Sequence, residues 1–247
     1  VHSAYLKNYI PDNKFIATYL YRNAFKFVTV SKAIKTKLTK KFHFENVKVI
    51  HNAVDEPQMI ALSESLLLPN KFILFFGRIE DEVKNLTLLI DSYKRSELID
   101  HNIKLVILGD GNDKKKLEKK VQSMSMSKHI VFLSYTKNPY PTVSKAMCTV
   151  LSSHYEGFPT MLVESLSLGT PVISVNCESG PSEIILDTHN GLLVDNYNPD
   201  LLADAMNRFV LDNELYIHCK NNAKKSVDKF SMETISLDWK RILEATV

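Results

Sequence analysis

The stretch Glu156-Gly157-Phe158-Pro159-Thr160-Met161-Leu162-Val163-Glu164 places two carboxylates eight positions apart around a Gly-x-Pro turn. The apolar run from Leu162 to Leu168, stopped by Gly169, reads as a helix. Pro is favoured in a first helical turn, because the N–H it lacks would have no partner there. Glu156 then falls in the loop before the helix and Glu164 about one turn inside it. Between them the unpaired N–H groups of the helix start point outward, a natural seat for phosphate. A carboxylate beside such a seat calls for a ligand that carries hydroxyls as well as phosphates. A sugar nucleotide carries both.

A second loop offers cations. Gly77-Arg78 closes one apolar run and Lys84-Asn85 opens the next helical stretch. A guanidinium is a planar fork for phosphate oxygens and an ammonium a compact point charge. Together they suit a diphosphate without a metal. The plainer reading is a pair of surface charges matched to Glu80, Asp81 or Glu82. Gly109-Asp110-Gly111-Asn112 is either a phosphate cradle or only a tight strand-to-helix turn. The glutamates likewise admit three readings: acid and base of a hydrolase, which the phosphate seat between them argues against; a helix-start charge with a surface acid; or a ribose acceptor at Glu164 with Glu156 against the reacting sugar. The eight histidines show no metal-ligand spacing with Cys or carboxylates. No Walker loop or Gly-x-Ser-x-Gly elbow occurs.

The elements that must position these groups alternate from residue 71 onward. Apolar runs at Phe72–Phe76, Lys104–Leu108, Ile130–Leu133, Thr149–Ser152, Pro171–Val175 and Leu192–Val194 read as strands. Helical stretches fall between them: Leu86–Arg95, Asp113–Ser123, Tyr140–Ala146, Thr160–Leu168 and Pro181–Asp187, with Pro199–Val210 following. Continuous apolar strands between helices predict an α/β fold, a doubly wound Rossmann-like parallel sheet, with ligands at the carboxyl ends of its strands. The candidate loops should therefore converge on one edge. Two more helices are expected over Asn213–Lys229 and Ser231–Ala245.

The chain has 247 residues, 45% hydrophobic and 24% charged, as in an ordinary soluble globular protein. No apolar run is long enough for a membrane span, and the first residues lack a signal-peptide pattern. Cys148, Cys177 and Cys219 are too few and too scattered for a disulfide framework. They read as thiols in a reducing cytoplasm. Residues 1–50 hold ten Lys/Arg against Asp12 and Glu45, a charge of +8, which leaves −5 for the rest. Within this segment Phe25–Val30 reads as a strand and Ser31–Phe42 as a basic helix with Ile34, Leu38 and Phe42 on one face. The helix is not interleaved with stacking aromatics, so nucleic-acid binding has no support. It either faces an anionic membrane or packs against an amino-terminal domain.

Taken in order, these residues resemble the retaining glycosyltransferases of GT-B fold often grouped as family 4. The match runs through His51-Asn52-Ala53-Val54-Asp55, Phe76-Gly77-Arg78 with Lys84-Asn85, Leu108-Gly109-Asp110-Gly111, Glu156 to Glu164, Gly169-Thr170-Pro171, Gly180-Pro181-Ser182-Glu183 and Asn190-Gly191. It covers roughly residues 20–245. Ala146-Met147-Cys148 departs from the family's Ala-Asp. The resemblance implies that Arg78 and Lys84 bind the donor diphosphate, Glu164 the ribose, and Glu156 the donor sugar as the catalytic contact. Backbone amides from Phe158 through Pro159, Thr160 and Met161 to Leu162 would hold phosphate and sugar, and Leu133 to Tyr135 would face the base. His2 would match a histidine near the donor sugar. Metal and further cofactors would be absent, the nucleotide-sugar being UDP- or GDP-linked and the leaving phosphate deprotonating the acceptor.

The activity implied is sugar transfer to a glycan or lipid-linked acceptor in cell-surface polysaccharide synthesis, such as lipopolysaccharide or capsule. The location implied is cytoplasmic, peripheral to the inner membrane face. Two alternatives stay open: a nucleotide-sugar epimerase of similar fold, and a non-catalytic nucleotide-binding module. Residues 1–50 are expected to be the end of an acceptor domain, 51–230 the donor-binding domain and 231–247 a carboxyl-terminal helix. With most of the acceptor domain missing, the chain is expected to bind donor and transfer poorly.

Overall fold

The computed structural model describes residues 1–2, 4–55, 67–195 and 197–244. The amino-terminal segment forms α1 (Lys14–Tyr21), β1 (Phe27–Thr29), α2 (Lys32–Phe42) and β2 (Val47–Val49). The strands pair in parallel, Phe27 opposite Val47. Neither α1 nor β2 is predicted from sequence: one is a short helix with apolar residues on its outer side, the other a three-residue strand. They complete what a lone strand and helix cannot, a shared core. Ile34, Leu38 and Phe42 are buried in it, and the rings of Phe27 and Phe44 stack 4.2 Å apart. Ser31 caps α2, its hydroxyl accepting from the Ile34 amide at 3.3 Å.

The main sheet has six parallel strands: β3 (Phe72–Phe76), β4 (Lys104–Leu108), β5 (Ile130–Leu133), β6 (Thr149–Leu151), β7 (Val172–Val175) and β8 (Gly191–Val194). Every residue of β3, β6 and β7 is buried, since helices cover both faces. The order across the sheet is β5-β4-β3-β6-β7-β8. The chain lays down β3, β4 and β5 outward, then returns to start β6 on the other side of β3. The strand order reverses between β3 and β6. Loops leaving their carboxyl ends diverge, and the crevice between them is where such sheets bind ligands.

The helices are α3 (Asp81–Lys84), α4 (Leu86–Arg95), α5 (Lys114–Ser123), α6 (Tyr140–Lys145), α7 (Thr160–Ser167), α8 (Pro181–Ile184), α9 (Pro199–Leu211), α10 (Asn213–Ser226) and α11 (Met232–Glu244). α9 packs on α4, and α10 on α7. The helix expected to run to Lys229 stops at Ser226. A 3-10 turn over Asp228–Phe230 follows and buries the Phe230 ring against His51 and Phe158. Ala245 lies outside the described residues. No described helix is long and apolar enough to cross a membrane.

Candidate functional site

The β3 loop reaches Lys84 through α3. Asp81 ties the loop to the start of α4, its carboxylate accepting from the Thr87 amide at 2.8 Å and the Thr87 hydroxyl at 2.6 Å. The β6 loop is laced to the same place. The His154 amide donates to Val83 O at 2.9 Å, and the Ser152 hydroxyl to Lys84 O at 2.9 Å. This lacing brings Lys84 Nζ within 2.6 Å of Glu156 Oε1. The Ser153 hydroxyl donates to the same oxygen at 2.6 Å.

The turn before α7 is held from three sides. Ser179 donates to Gly157 O at 2.9 Å. The Phe158 ring stacks on His51 with centroids 4.8 Å apart. Gly180, at φ 98°, lies so close that a Cβ there would stand 2.3 Å from Pro159 Cδ. Pro159 itself is the N-cap, in extended backbone, and no side chain caps α7 and no acid lies in its first turn. The helix start is therefore a set of donors with an uncompensated positive end. The amides of Phe158, Thr160 and Met161 make no hydrogen bond among the described residues. Two members of the expected set drop out: Pro159 has no N–H, and the Leu162 amide donates to Pro159 O at 3.0 Å.

Glu164 stands one turn along α7, with its carboxyl pKa raised by burial, against which a hydrogen bond from the Thr160 side chain acts. Tyr140, at the start of α6, has its hydroxyl pushed up by burial and by the charge of Glu164. On the β4 side, Asp110 accepts from Lys114 Nζ and from the Tyr135 amide, each at 2.8 Å. Those two bonds, Lys114's the larger, hold its pKa below the ordinary value.

Two adjoining cavities of about 440 and about 410 Å³ make one cleft over this edge. Phe76, Gly77, Arg78 and Glu164 line both. Lys84, Glu156 and the Phe158 to Met161 turn line one side, and Asp110, Tyr135 and Tyr140 the other. The structure thus gathers most of the predicted site residues at the carboxyl ends of β3, β4, β5 and β6. Arg78 is exposed and pairs with Glu80 at 3.1 Å, as the surface-charge reading has it. Lys84 departs from that reading, pairing across the cleft with Glu156. Leu133 is not among the lining residues; its carbonyl accepts from the Gly109 amide at 3.0 Å. Leu162 is fully buried. His2 lies elsewhere, in a groove against α11 that also contains Trp239.

Asp110 enters the lining from the Gly109-Asp110-Gly111 loop, whereas Lys137, Pro139 and Tyr140 do so without having been predicted. Their signal was positional, since each follows the end of a strand. The three cysteines are buried. Burial above all raises their pKa values, to about 12 at Cys177 and about 11 at Cys219, so they are neutral thiols. Among the described residues no three His, Cys, Asp or Glu side chains lie together as a metal site.

A doubly wound parallel sheet with this crevice at its switch point defines a Rossmann-like α/β protein, and comparison with known proteins names the family, one of GT-B fold. The model described as Glycosyl transferases group 1 matches residues 62–226, and the chain belongs to that family. It is 31% identical over 239 residues to the N-acetylgalactosamine-N,N'-diacetylbacillosaminyl-diphospho-undecaprenol 4-alpha-N-acetylgalactosaminyltransferase of Campylobacter jejuni, covering 95% of this chain and 64% of that protein. It is 29% identical over 154 residues to the poly(glycerol-phosphate) alpha-glucosyltransferase of Bacillus subtilis, covering 61% and 23%. The chain spans less than two thirds of these curated relatives. Among solved structures, HepE of Anabaena in complex with UDP superposes with a TM-score of 0.86 at 19% identity, over 99% of this chain and 71% of that one. TarM superposes at 0.81 with 24% identity, over 98% and 49%. These two likenesses concern the fold.

Proposed function

We propose that the protein is part of a retaining glycosyltransferase that takes a sugar from a UDP- or GDP-linked donor to a glycan or lipid-linked acceptor. The observation that carries this reading is the cleft in which an uncapped helix start, the Lys84 ammonium and two carboxylates face one another. Thr160 and Met161 amides with Lys84 and Arg78 would take the diphosphate, doing the electrostatic work of a metal. Glu164 would accept from ribose hydroxyls and Tyr135 would face the base. Glu156 would meet the sugar. The bond from the sugar's anomeric carbon to the leaving phosphate breaks, the acceptor oxygen bonds to that carbon, and the acceptor proton passes to the phosphate oxygen. The Campylobacter relative, named for a diphospho-undecaprenol substrate, supports a lipid-linked acceptor.

In the free protein both cations are engaged, Lys84 with Glu156 and Arg78 with Glu80. A diphosphate must draw Lys84 away or share it, so binding should weaken as salt rises. Titration calorimetry with UDP and GDP, with and without EDTA, tests the reading. Binding of one nucleotide that survives EDTA is the expected result. Glu164→Ala should weaken it by about 1.5–3 kcal/mol, the range for hydrogen bonds to a charged group; an unchanged affinity removes the ribose role. Incubation with nucleotide-sugar and no acceptor gives the epimerase reading its chance. A new epimer in the product would replace transfer as the reaction.

A further inference from the structure

Glu156 is held by two donors of different kinds. Lys84 Nζ and the Ser153 hydroxyl both reach its Oε1, each at 2.6 Å. Its Oε2 has no hydrogen-bond partner among the described residues, and the residue lines the cleft. One carboxylate oxygen is thus fastened to the protein and the other is left for a ligand.

The two donors differ in their freedom to leave. The Lys84 ammonium rides on a flexible four-carbon stem and can turn toward a phosphate. Ser153 is wholly buried, and its hydroxyl has a single torsion to its backbone. Its neighbours tie that backbone down: the Ser152 hydroxyl donates to Lys84 O and the His154 amide to Val83 O, each at 2.9 Å. Those bonds fix the Lys84 main chain and leave its side chain to swing. No other donor stands ready for Glu156 among the described residues. The nearby Cys177 thiol, pushed up first by burial and then by the charge of Glu156, sends its proton to Ser179 O at 3.9 Å. When a diphosphate takes the ammonium, a carboxylate without a second donor would rotate or follow it. A hydrogen bond to an ionised acceptor is strong enough to prevent that.

We propose that Ser153 is a positioning residue of the transfer site: it keeps Glu156 Oε1 in place while the donor's diphosphate takes Lys84, and so presents Oε2 to a hydroxyl of the donor sugar. The inference rests on the reading of the cleft as a nucleotide-sugar site. It adds a coupling to that reading, since diphosphate and sugar then compete for and release the two sides of one carboxylate.

Titration calorimetry on the longest natural form of the chain tests it, with UDP, GDP, UDP-glucose, UDP-galactose, their N-acetylamino counterparts and GDP-mannose as ligands. Ser153→Ala should weaken the nucleotide-sugar that binds by about tenfold, the lower end for losing a hydrogen bond to a charged group. The same change should weaken the bare nucleotide by less than about twofold, because it removes no group that faces the nucleotide. In a Glu156→Ala background, Ser153→Ala should have no further effect on the sugar, because Ser153 acts only through that carboxylate. Where Ser153→Ala does not fold, Ser153→Cys, of similar size and only a weak donor, is measured in the same way. Equal losses for nucleotide and nucleotide-sugar overturn the proposal and leave Ser153 a structural residue. An unchanged sugar affinity overturns it, as does a loss that persists in the Glu156→Ala background. A parent protein that binds UDP or GDP but none of their sugar conjugates overturns it too. A parent that binds no nucleotide at all overturns the reading of the cleft itself.

Discussion

At the residue scale the cleft is a contest between carboxylates and cations. Glu156 is nearly buried and shares one oxygen between Lys84 and Ser153. Lys84→Ala removes one partner and leaves a carboxylate short of donors, costing about 1–3 kcal/mol of stability in addition to any loss of nucleotide binding. A urea titration of the nucleotide-free variant would show the stability part alone. Glu164 titrates in the opposite sense to a paired acid. Burial raises its pKa in the folded chain, so the folded state binds the proton more tightly than the unfolded. Its stabilising contribution is complete below the unfolded pKa and is lost as pH rises through the raised folded value. Glu164→Gln should therefore gain stability relative to the parent between acidic and neutral pH. Denaturant midpoints of both proteins across that range would show the difference widening with pH; parallel curves would mean that Glu164 feels no burial.

At the scale of elements, Gly109 and Gly111 exist to let two loops touch. A Cβ on Gly109 would lie 1.9 Å from Gly77 O, and one on Gly111 2.2 Å from Ile79 O. Gly109 also sits at φ 151°, where side chains are strained. Gly109→Ala should cost about 3 kcal/mol through overlap and strain together. Gly169, at φ 79° with only the flexible Lys224 side chain near, should cost about 1 kcal/mol on the same change. Equal losses in a urea comparison would refute the overlap argument.

This packing role was half legible, since Gly-Asp-Gly reads equally as phosphate cradle or turn until the facing loop is known. The long strands were fully legible, because β3 as Phe-Ile-Leu-Phe-Phe cannot be anything but buried. Short elements were not: β2 is Val-Lys-Val, and α1 carries its apolar residues outward, so periodicity points the wrong way. The two glutamates and the helix between them were readable from local spacing. The Lys84–Glu156 pair was not, because it joins residues far apart in sequence through a strand pairing that only the fold supplies.

At the scale of the molecule, the amino-terminal segment is docked to the turn that carries Glu156. Glu183 caps the start of α2 from the other lobe, its carboxylate accepting from the Lys32 amide at 2.9 Å and the Ala33 amide at 3.3 Å. Lys37 pairs with Glu178 at 2.7 Å. Ser31 and Ser179 meet hydroxyl to hydroxyl at 2.8 Å. Because Ser179 gives its one proton to Gly157 O, Ser31 must donate to Ser179. The relay runs from the cap of α2 to the carbonyl inside the Glu156 turn, buried along most of its length. Members of one buried chain of hydrogen bonds should not act independently. Ser31→Ala and Ser179→Ala should each destabilise by about 1 kcal/mol, and the double variant by less than their sum, with a coupling of about 0.5–1.5 kcal/mol. Ser179→Ala should also weaken nucleotide binding, since it alone frees the Gly157 carbonyl and loosens the amides that follow. Strict additivity in the cycle, measured by chemical denaturation, would mean that the two lobes merely abut at this point.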